Sequence, residues 1–428
     1  MYKIAVAGAG HGGLSAAINL AKSGNEVTVF EKSERAALGY DWPDCISTTA
    51  FDYAGFPAPD ESVMKPFGEI CYLNPSKSVL IKPESTRRNS TLFHIERKAL
   101  IAHMLSVAEN NGVKLVFGET ALSAVVQGGK VTALHTDKGE YLCDLLIDAA
   151  GIDSPVRKSL PGSFGIAKEI TGDDVMFTYR AIYENTCIPD DLPSYCAYFY
   201  HSGNCGFDWV INEDDCVDVL VGSIAKINDE IIGNALDDFR IDHPCLSDSV
   251  IRGGDICKIP LRRTLARFTA PGYAAVGDSA SMIDPLSGSG ISHSIEAGAI
   301  LAKAVDSAAG KELTEDILWQ FQHDYFRRFS NNQLSDDAIK LFMLGAGEEK
   351  LNAVFDKKIV TAKEFYVGKQ TAKDILQKVG GVLSTPSLIP DLVTLVSRKM
   401  KISSVLKSLP EKYDESAVSF WADAYEAI

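Results

Sequence analysis

The feature that most constrains this chain lies at its start. Ile4, Ala5, Val6 and Ala7 form a continuous apolar run, the pattern of a parallel strand covered on both faces, and the run ends at Gly8-Ala9-Gly10-His11-Gly12-Gly13. Leu14, Ala17, Ile18 and Ala21 then recur at helical spacing, and after Gly24 a second apolar run, Val27 to Phe30, closes with Glu31. This is a βαβ unit. Gly8, Gly10 and Gly13 satisfy GxGxxG: the first permits a tight turn, the second lets the backbone approach a pyrophosphate, and the third lets helix pack closely on strand. The helix start offers N–H donors and partial positive charge to an anion. Glu31 stands 18 residues beyond Gly13, where a carboxylate accepts hydrogen bonds from an adenosine ribose. This context favours dinucleotide binding over a structural turn beside a solvated acid. The motif alone does not choose between NAD and FAD.

Length and composition set the surroundings of that unit. At roughly 100 to 200 residues per domain, 428 residues predict two or three domains. The 46% hydrophobic and 23% charged content is ordinary for a globular protein and excludes a disordered, collagen-like or disulfide-scaffold chain. A net charge of −15 opposes nucleic-acid binding. The nine cysteines are never closer than nine residues, so no CxxC pair can present thiolates to zinc or an iron–sulfur cluster, and reduced cytosolic thiols are expected. The eight histidines form no HxxxH or HExxH pair, and no metal is expected. A strand that begins at Tyr2, and the lack of any apolar run of about 18 residues, predict no targeting peptide and no membrane span, hence a cytoplasmic protein.

Further along, residues 40 to 93 are irregular and Pro-rich, as loops crossing between domains would be. Leu100, Met104, Leu105 and Ala108 mark an amphipathic helix, followed by short strands at 113–117, 121–126 and 131–135 and a strand-to-turn junction at Asp148-Ala149-Ala150-Gly151. Segments 175–183, 195–200, 207–212 and 217–223 carry the aromatic and β-branched residues of an antiparallel sheet. Ala274 to Val276 return to buried-strand character, a helix follows from about Ile291, and the spacing is helical after Glu312. The fold class is α/β: a Rossmann-like nucleotide-binding domain (1–80 with 94–165 and 258–310), an antiparallel-sheet substrate domain (81–93 with 166–257) and a helical C-terminal region (311–428).

The second informative stretch is Gly277-Asp278, followed after a short interval by Pro285-Leu286-Ser287-Gly288-Ser289-Gly290-Ile291. An aspartate at a strand end accepts hydrogen bonds from a polyol, and a glycine-flanked helix start brings N–H groups against the electron-rich edge of a ring, which favours its reduction. These residues, with the small-residue helix through Glu296, Ala297 and Gly298, resemble the ribityl-and-flavin segment of the para-hydroxybenzoate hydroxylase-like flavoproteins and, more closely, of the geranylgeranyl reductase family. The resemblance runs over most of residues 1–310 and implies bound FAD. It implies that Arg97, in Ile95-Glu96-Arg97-Lys98-Ala99-Leu100, reaches the cofactor, that Lys32 and Ala121 join Glu31 as cofactor contacts, and that Trp209, in Gly206-Phe207-Asp208-Trp209-Val210-Ile211, faces the substrate or the core. The family's middle motif, Asp-Gly with a following Ser and Arg, is met by Gly151, Ser154 and Arg157, with Ala150 in place of the acid.

What the resemblance implies is an FAD-dependent oxidoreductase that reduces a C=C bond of an apolar, isoprenoid-like or other small substrate, the proton donor coming from among Tyr40, Asp41, Cys45 and His293. A flavin monooxygenase acting on an aromatic or isoprenoid compound shares these motifs; the WxWxIP signature of halogenases is absent. A flavin electron carrier or redox-responsive binding protein is the reading from another class. With one clear dinucleotide loop, the electron donor is NAD(P)H bound transiently or a reduced redox protein. Near the C-terminus, Leu392, Leu395, Val396, Met400, Ile402 and Val405 among Arg398, Lys399, Lys401 and Lys407 predict a basic amphipathic helix packed on the flavin domain, or else a lid or peripheral membrane-surface patch.

Overall fold

The computed structural model describes residues 1–66, 70–82, 92–187, 193–213, 215–361 and 372–428, the side chains of 372–375 excepted. At its centre the strand Lys3–Ala7 pairs in parallel with Glu26–Glu31, Val6 opposite Val29, and with Leu145–Asp148, Val6 opposite Ile147. Lys114–Phe117 and Tyr273–Ala275 extend this sheet at either side in parallel, and Thr269–Ala270 completes six strands as an antiparallel edge. Val6, Leu146 and Ile147 are wholly buried, which is why these strands read as unbroken apolar runs rather than as alternation. The helix His11–Lys22 crosses the helix Ile291–Ser307 at close range. A Cβ on Gly298 would stand 2.4 Å from the Ala16 backbone nitrogen, and Ser15 Oγ donates to the Ile295 carbonyl at 2.5 Å.

The second layer is a seven-stranded sheet in the order Leu246–Pro260, Val175–Asn185, Cys216–Ser223, Phe207–Asn212, Tyr195–Phe199, Ile70–Leu73 and Leu80–Ile81. All neighbours are antiparallel except Tyr195–Phe199 beside Ile70–Leu73. The sequence puts 70–73 with the nucleotide-binding domain and sets a boundary at 80. Both strands instead hydrogen-bond into the substrate-side sheet, because Tyr195–Phe199 would otherwise expose an edge. The interval 40–93 is not all loop: Pro43–Ser47, Leu92–Glu96 and Met64–Pro66 form a small antiparallel sheet, while 83–91, within the expected 81–93 segment, lies outside the described residues. Asp229–Asp242, a helix the sequence reading lacked, starts where the Asn228 side chain accepts from the Ile231 amide at 2.9 Å.

The C-terminal region consists of the helices Glu315–Asp356, broken at Gly347 (φ 71°), Ala372–Leu383, Ile389–Lys407 and Glu415–Glu426. It is locked to the nucleotide-binding part. Phe268 packs among Phe321, Tyr325 and Phe326, Tyr425 donates to the Thr264 carbonyl at 3.0 Å, and the buried Arg263 pairs with the buried Asp337 at 2.5 Å. Among the described residues no single helix is long and apolar enough to cross a membrane.

Candidate functional site

The glycine loop is held to shape by contact. Gly8 sits at φ 107°, and a Cβ there would stand 2.4 Å from the Ala149 carbonyl oxygen; one on Gly13 would stand 2.3 Å from the Gly8 oxygen. A Cβ on Gly10 would meet only the Ala149 oxygen, at 3.9 Å, so that residue's open side faces space rather than protein. Glu31 pins the loop from the next strand: one carboxylate oxygen accepts from the Ala9 amide and the other from the Ser33 amide, each at 2.9 Å. Each oxygen keeps a lone pair for a further donor. Opposite, the buried Asp148 accepts from Ser154 Oγ (2.5 Å), Tyr273 Oη (2.9 Å) and Ser279 Oγ (3.0 Å), and Arg157 donates to the Ser279 carbonyl at 2.6 Å. Ser154 and Arg157 thus tie the middle motif to the Gly277-Asp278 turn, and Asp148, two residues before Ala150, supplies the acid of that junction.

These segments enclose a cavity of about 570 Å³ lined by Gly8 to Gly13, Glu31, Lys32, Arg97, Ala121, Gly277 and Asp278. A second cavity, of about 270 Å³, lies against the seven-stranded sheet, with Gly288, Gly290 and Ile291 on one wall and Trp209, Tyr195 and Arg180 on another. The two share His11, Tyr40, Arg97, Asp278 and Ser294, so they meet in one trough running from Glu31 to Trp209. Gly288 (φ 73°) makes the turn that carries this wall, where a Cβ would press on Ile259 at 3.2 Å. His11 stands at the junction. Burial, with the Arg97 charge adding to it, lowers its pKa to about 3, and its Nε2 is buried without a hydrogen-bond partner among the described residues. Burial also raises the Asp278 carboxyl, with Arg97 offsetting part of the shift.

A row of alternating charge runs from the second cavity, lined by Arg97, Asp44 and Arg180, to Asp218 behind it. Arg97 pairs with Asp44, Asp44 with Arg180 at 3.3 Å, and Arg180 with Asp218 through two bonds of 3.0 and 2.6 Å. The Arg180 guanidinium lies between the rings of Trp209 (4.6 Å) and Trp42 (5.6 Å), and Tyr40 stacks on Trp42 at 4.5 Å. The sequence reading missed Arg180 and Asp218. Their signal is a charged residue in the middle of each of two largely apolar strands, VMFTYRAIYEN and CVDVLVGS, that pair in the sheet.

Comparison with known proteins agrees with this geometry. Residues 2–162 match the family model described as pyridine nucleotide-disulphide oxidoreductase. The digeranylgeranylglycerophospholipid reductase of Sulfolobus acidocaldarius is 22% identical over 98% of this chain and 95% of its own. A solved geranylgeranyl bacteriochlorophyll reductase-like protein from Thermoplasma acidophilum superposes with a TM-score of 0.74 at 21% identity, over 92% of this chain and 99% of that one. The chain is a flavin-dependent oxidoreductase similar to the geranylgeranyl-type reductases. Pseudomonas aeruginosa PqsL in complex with 2-aminobenzoylacetate shares the fold of this flavoprotein at a TM-score of 0.62 and 18% identity, over 83% of this chain and 99% of that one. The likeness to the reductases takes in the C-terminal helices, where the sequence shows no readable motif, because packing can be kept while side chains drift.

The flavoprotein's expected site residues divide in space. Of the cofactor candidates, Pro285 is buried behind its turn and lines neither cavity, while the others line one or both. Of the four candidate proton donors, Tyr40 and Cys45 face the second cavity. Asp41 points away to Lys98 (3.2 Å) and Arg252 (3.6 Å), and His293 packs on Phe329 (4.6 Å) with its Nδ1 3.2 Å from the Ser289 carbonyl oxygen. Burial pushes the Cys45 thiol up to about 12 and raises the Tyr40 phenol, so both hold their protons at neutral pH. Among the described residues Glu213, Asp215 and Cys216 bring three metal-type donors together, but Lys65 already pairs with Glu213 at 2.9 Å.

Proposed function

We propose that the protein saturates a carbon–carbon double bond of an isoprenoid-like substrate held between the Ser287–Ile291 turn and the seven-stranded sheet. The observation that carries this reading is the single trough formed where the two cavities meet at His11, Tyr40, Arg97, Asp278 and Ser294. Its dimensions and lining suit a dinucleotide that ends in a planar ring: glycines that no side chain could replace, a carboxylate at the far end, and an orphaned imidazole nitrogen at the bend. Glu31 would receive ribose hydroxyls, flanked by Lys32 and Ala121. The first-turn amides of His11–Lys22, which have no intrahelical acceptor, would receive the pyrophosphate. Asp278 would accept from the polyol, and the amides at Gly290 and Ile291 would face the ring edge.

FAD, when reduced, supplies the hydride, and its electrons come from NAD(P)H bound transiently or from a reduced redox protein. The second alkene carbon takes a proton. Tyr40 reaches both cavities and is our candidate donor, with Cys45 tested beside it. Trp209, Phe207, Ile211 and Leu220 offer the substrate an apolar wall, and the buried charge of Arg180 is answered by Asp218 and Asp44. The aromatic and charged character of that wall favours a second reading, hydroxylation of an aromatic compound. The deciding experiment reduces the enzyme anaerobically and adds a geranylgeranyl lipid, following flavin absorbance and product mass together. Reoxidation with a gain of two hydrogens supports the reductase. Reoxidation by oxygen alone, never by an alkene, refutes it, and incorporation of an oxygen atom establishes the monooxygenase.

A further inference from the structure

The C-terminal helices carry a surface that the trough does not explain. On Ala372–Leu383, Leu376, Val379 and Leu383 recur at helical spacing; on Ile389–Lys407, Ile389, Val393, Val396 and Met400 do the same. All seven are between 41% and 72% exposed. Single exposed apolar residues are ordinary, but two aligned stripes within 25 residues are not. The second helix already has an inner face, with Ile402 and Val405 buried against the protein, so the outer stripe is additional to what folding needs.

Charge identifies the occupant. In a chain of net charge −15, this helix carries Arg398, Lys399, Lys401 and Lys407 against one acid, Asp391, which pairs with Lys350 at 2.6 Å. We propose that the two helices dock the protein on an anionic lipid surface, the apolar stripes entering the headgroup boundary and the basic residues meeting lipid charge. A second copy of the chain is a poorer fit, since a two-fold contact through this face would set the same basic residues against each other. The helices meet at a 99° bend, and the inner face of the second is packed on protein, so they lie along the bilayer rather than through it. That inner side backs onto the cavity wall: Leu388 and Leu392 share a core with Phe199, Tyr72 and Phe207, and Phe207 lines the second cavity.

The test is co-sedimentation of the full-length, FAD-loaded protein with vesicles whose acyl chains are saturated, so that the result is independent of the proposed reduction. Vesicles of phosphatidylcholine mixed with phosphatidylglycerol are expected to bind the protein, phosphatidylcholine alone to bind it weakly, and 0.5 M salt to release it. At about fivefold per basic residue, Lys399→Gln, Lys401→Gln and Lys407→Gln together lower binding on the order of 100-fold. Val396→Glu with Met400→Glu abolishes it, with melting temperature and FAD content unchanged because all these side chains are exposed. Failure of the wild type to sediment with anionic vesicles overturns the proposal. So does equal sedimentation of the variants, or a solution dimer that Val396→Glu dissolves while vesicle binding stays absent.

Discussion

Arg180→Met tests whether the charge row in the second cavity is a closed unit or an open receptor for ligand. Arg180 and Asp218 are both buried and joined by two bonds of 3.0 and 2.6 Å, while Asp44 has Arg97 as a second partner. Removing the guanidinium therefore strands Asp218, and breaking a buried pair from one side costs about 3–5 kcal/mol. Burial raises the Asp218 carboxyl pKa and the Arg180 charge opposes that rise, so the substitution raises it further. A carboxyl raised in the folded state favours folding below its unfolded pKa and loses that contribution as pH climbs through the folded value. The penalty should thus be largest near pH 8 and shrink on acidification. Arg180→Met with Asp218→Leu should recover most of the loss, since an apolar pair of similar volume leaves no stranded charge. Urea unfolding of the FAD-loaded protein at pH 8 and pH 5.5 measures all three quantities. A loss below about 1 kcal/mol at pH 8, a penalty insensitive to pH, or a double variant as weak as Arg180→Met would refute the closed-unit reasoning.

Other expectations follow from single features. Gly13→Ala drives a Cβ against the Gly8 oxygen and should weaken FAD binding at least about 100-fold in a fluorescence titration; unchanged affinity would mean that the loop is not the cofactor cradle. The half-buried Cys45, its thiol pushed up to about 12, should resist iodoacetamide at pH 8 while the exposed Cys187 reacts, and fast labelling of Cys45 by mass spectrometry would contradict that raised pKa. Tyr40→Phe should retain FAD but slow alkene-dependent reoxidation, whereas full activity would shift the proton to Cys45. Burial lowers His11, His94 and His243 to about 3, 4 and 4. Their stabilising contribution is present above the unfolded pKa and is lost from about pH 6.5 towards 4, by up to about 1.4 kcal/mol per pH unit for each. Urea midpoints that stay flat between pH 7 and 5 would contradict this, and His243→Gln should remove one proton from the slope.

The parts of the site legible in sequence are those built by backbone. Gly8, Gly13 and Gly288 are dictated by turns and close approach, so their spacing survives in any chain that makes the same contacts. Glu31 was legible because a strand end fixes its distance from the loop. Arg180 and Asp218 were not, because a buried ion pair across two strands has no fixed sequence separation, and His11 was hidden inside a motif that constrains only its glycines. The pairing of Ile70–Leu73 with Tyr195–Phe199 was lost for a similar reason: a short edge strand joins whichever sheet offers a free edge, and more than a hundred residues separate the partners. The C-terminal helices were legible as helices from their spacing but carry no readable motif, so their likeness to the reductases emerges only from relatives aligned along their whole length.

The crossing at Gly298 has a mechanical consequence. With Ala16 admitted at backbone distance and Ser15 gripping the Ile295 carbonyl, the helix that begins at His11, where the two cavities meet, and the one that begins at Ile291, on the wall of the second cavity, are bolted together. Neither can swing without the other. On the proposed reading, a bulky substrate would enter on the opposite flank, where the seven-stranded sheet and the C-terminal helices meet, with the two turns that would grip the coenzyme kept at constant separation.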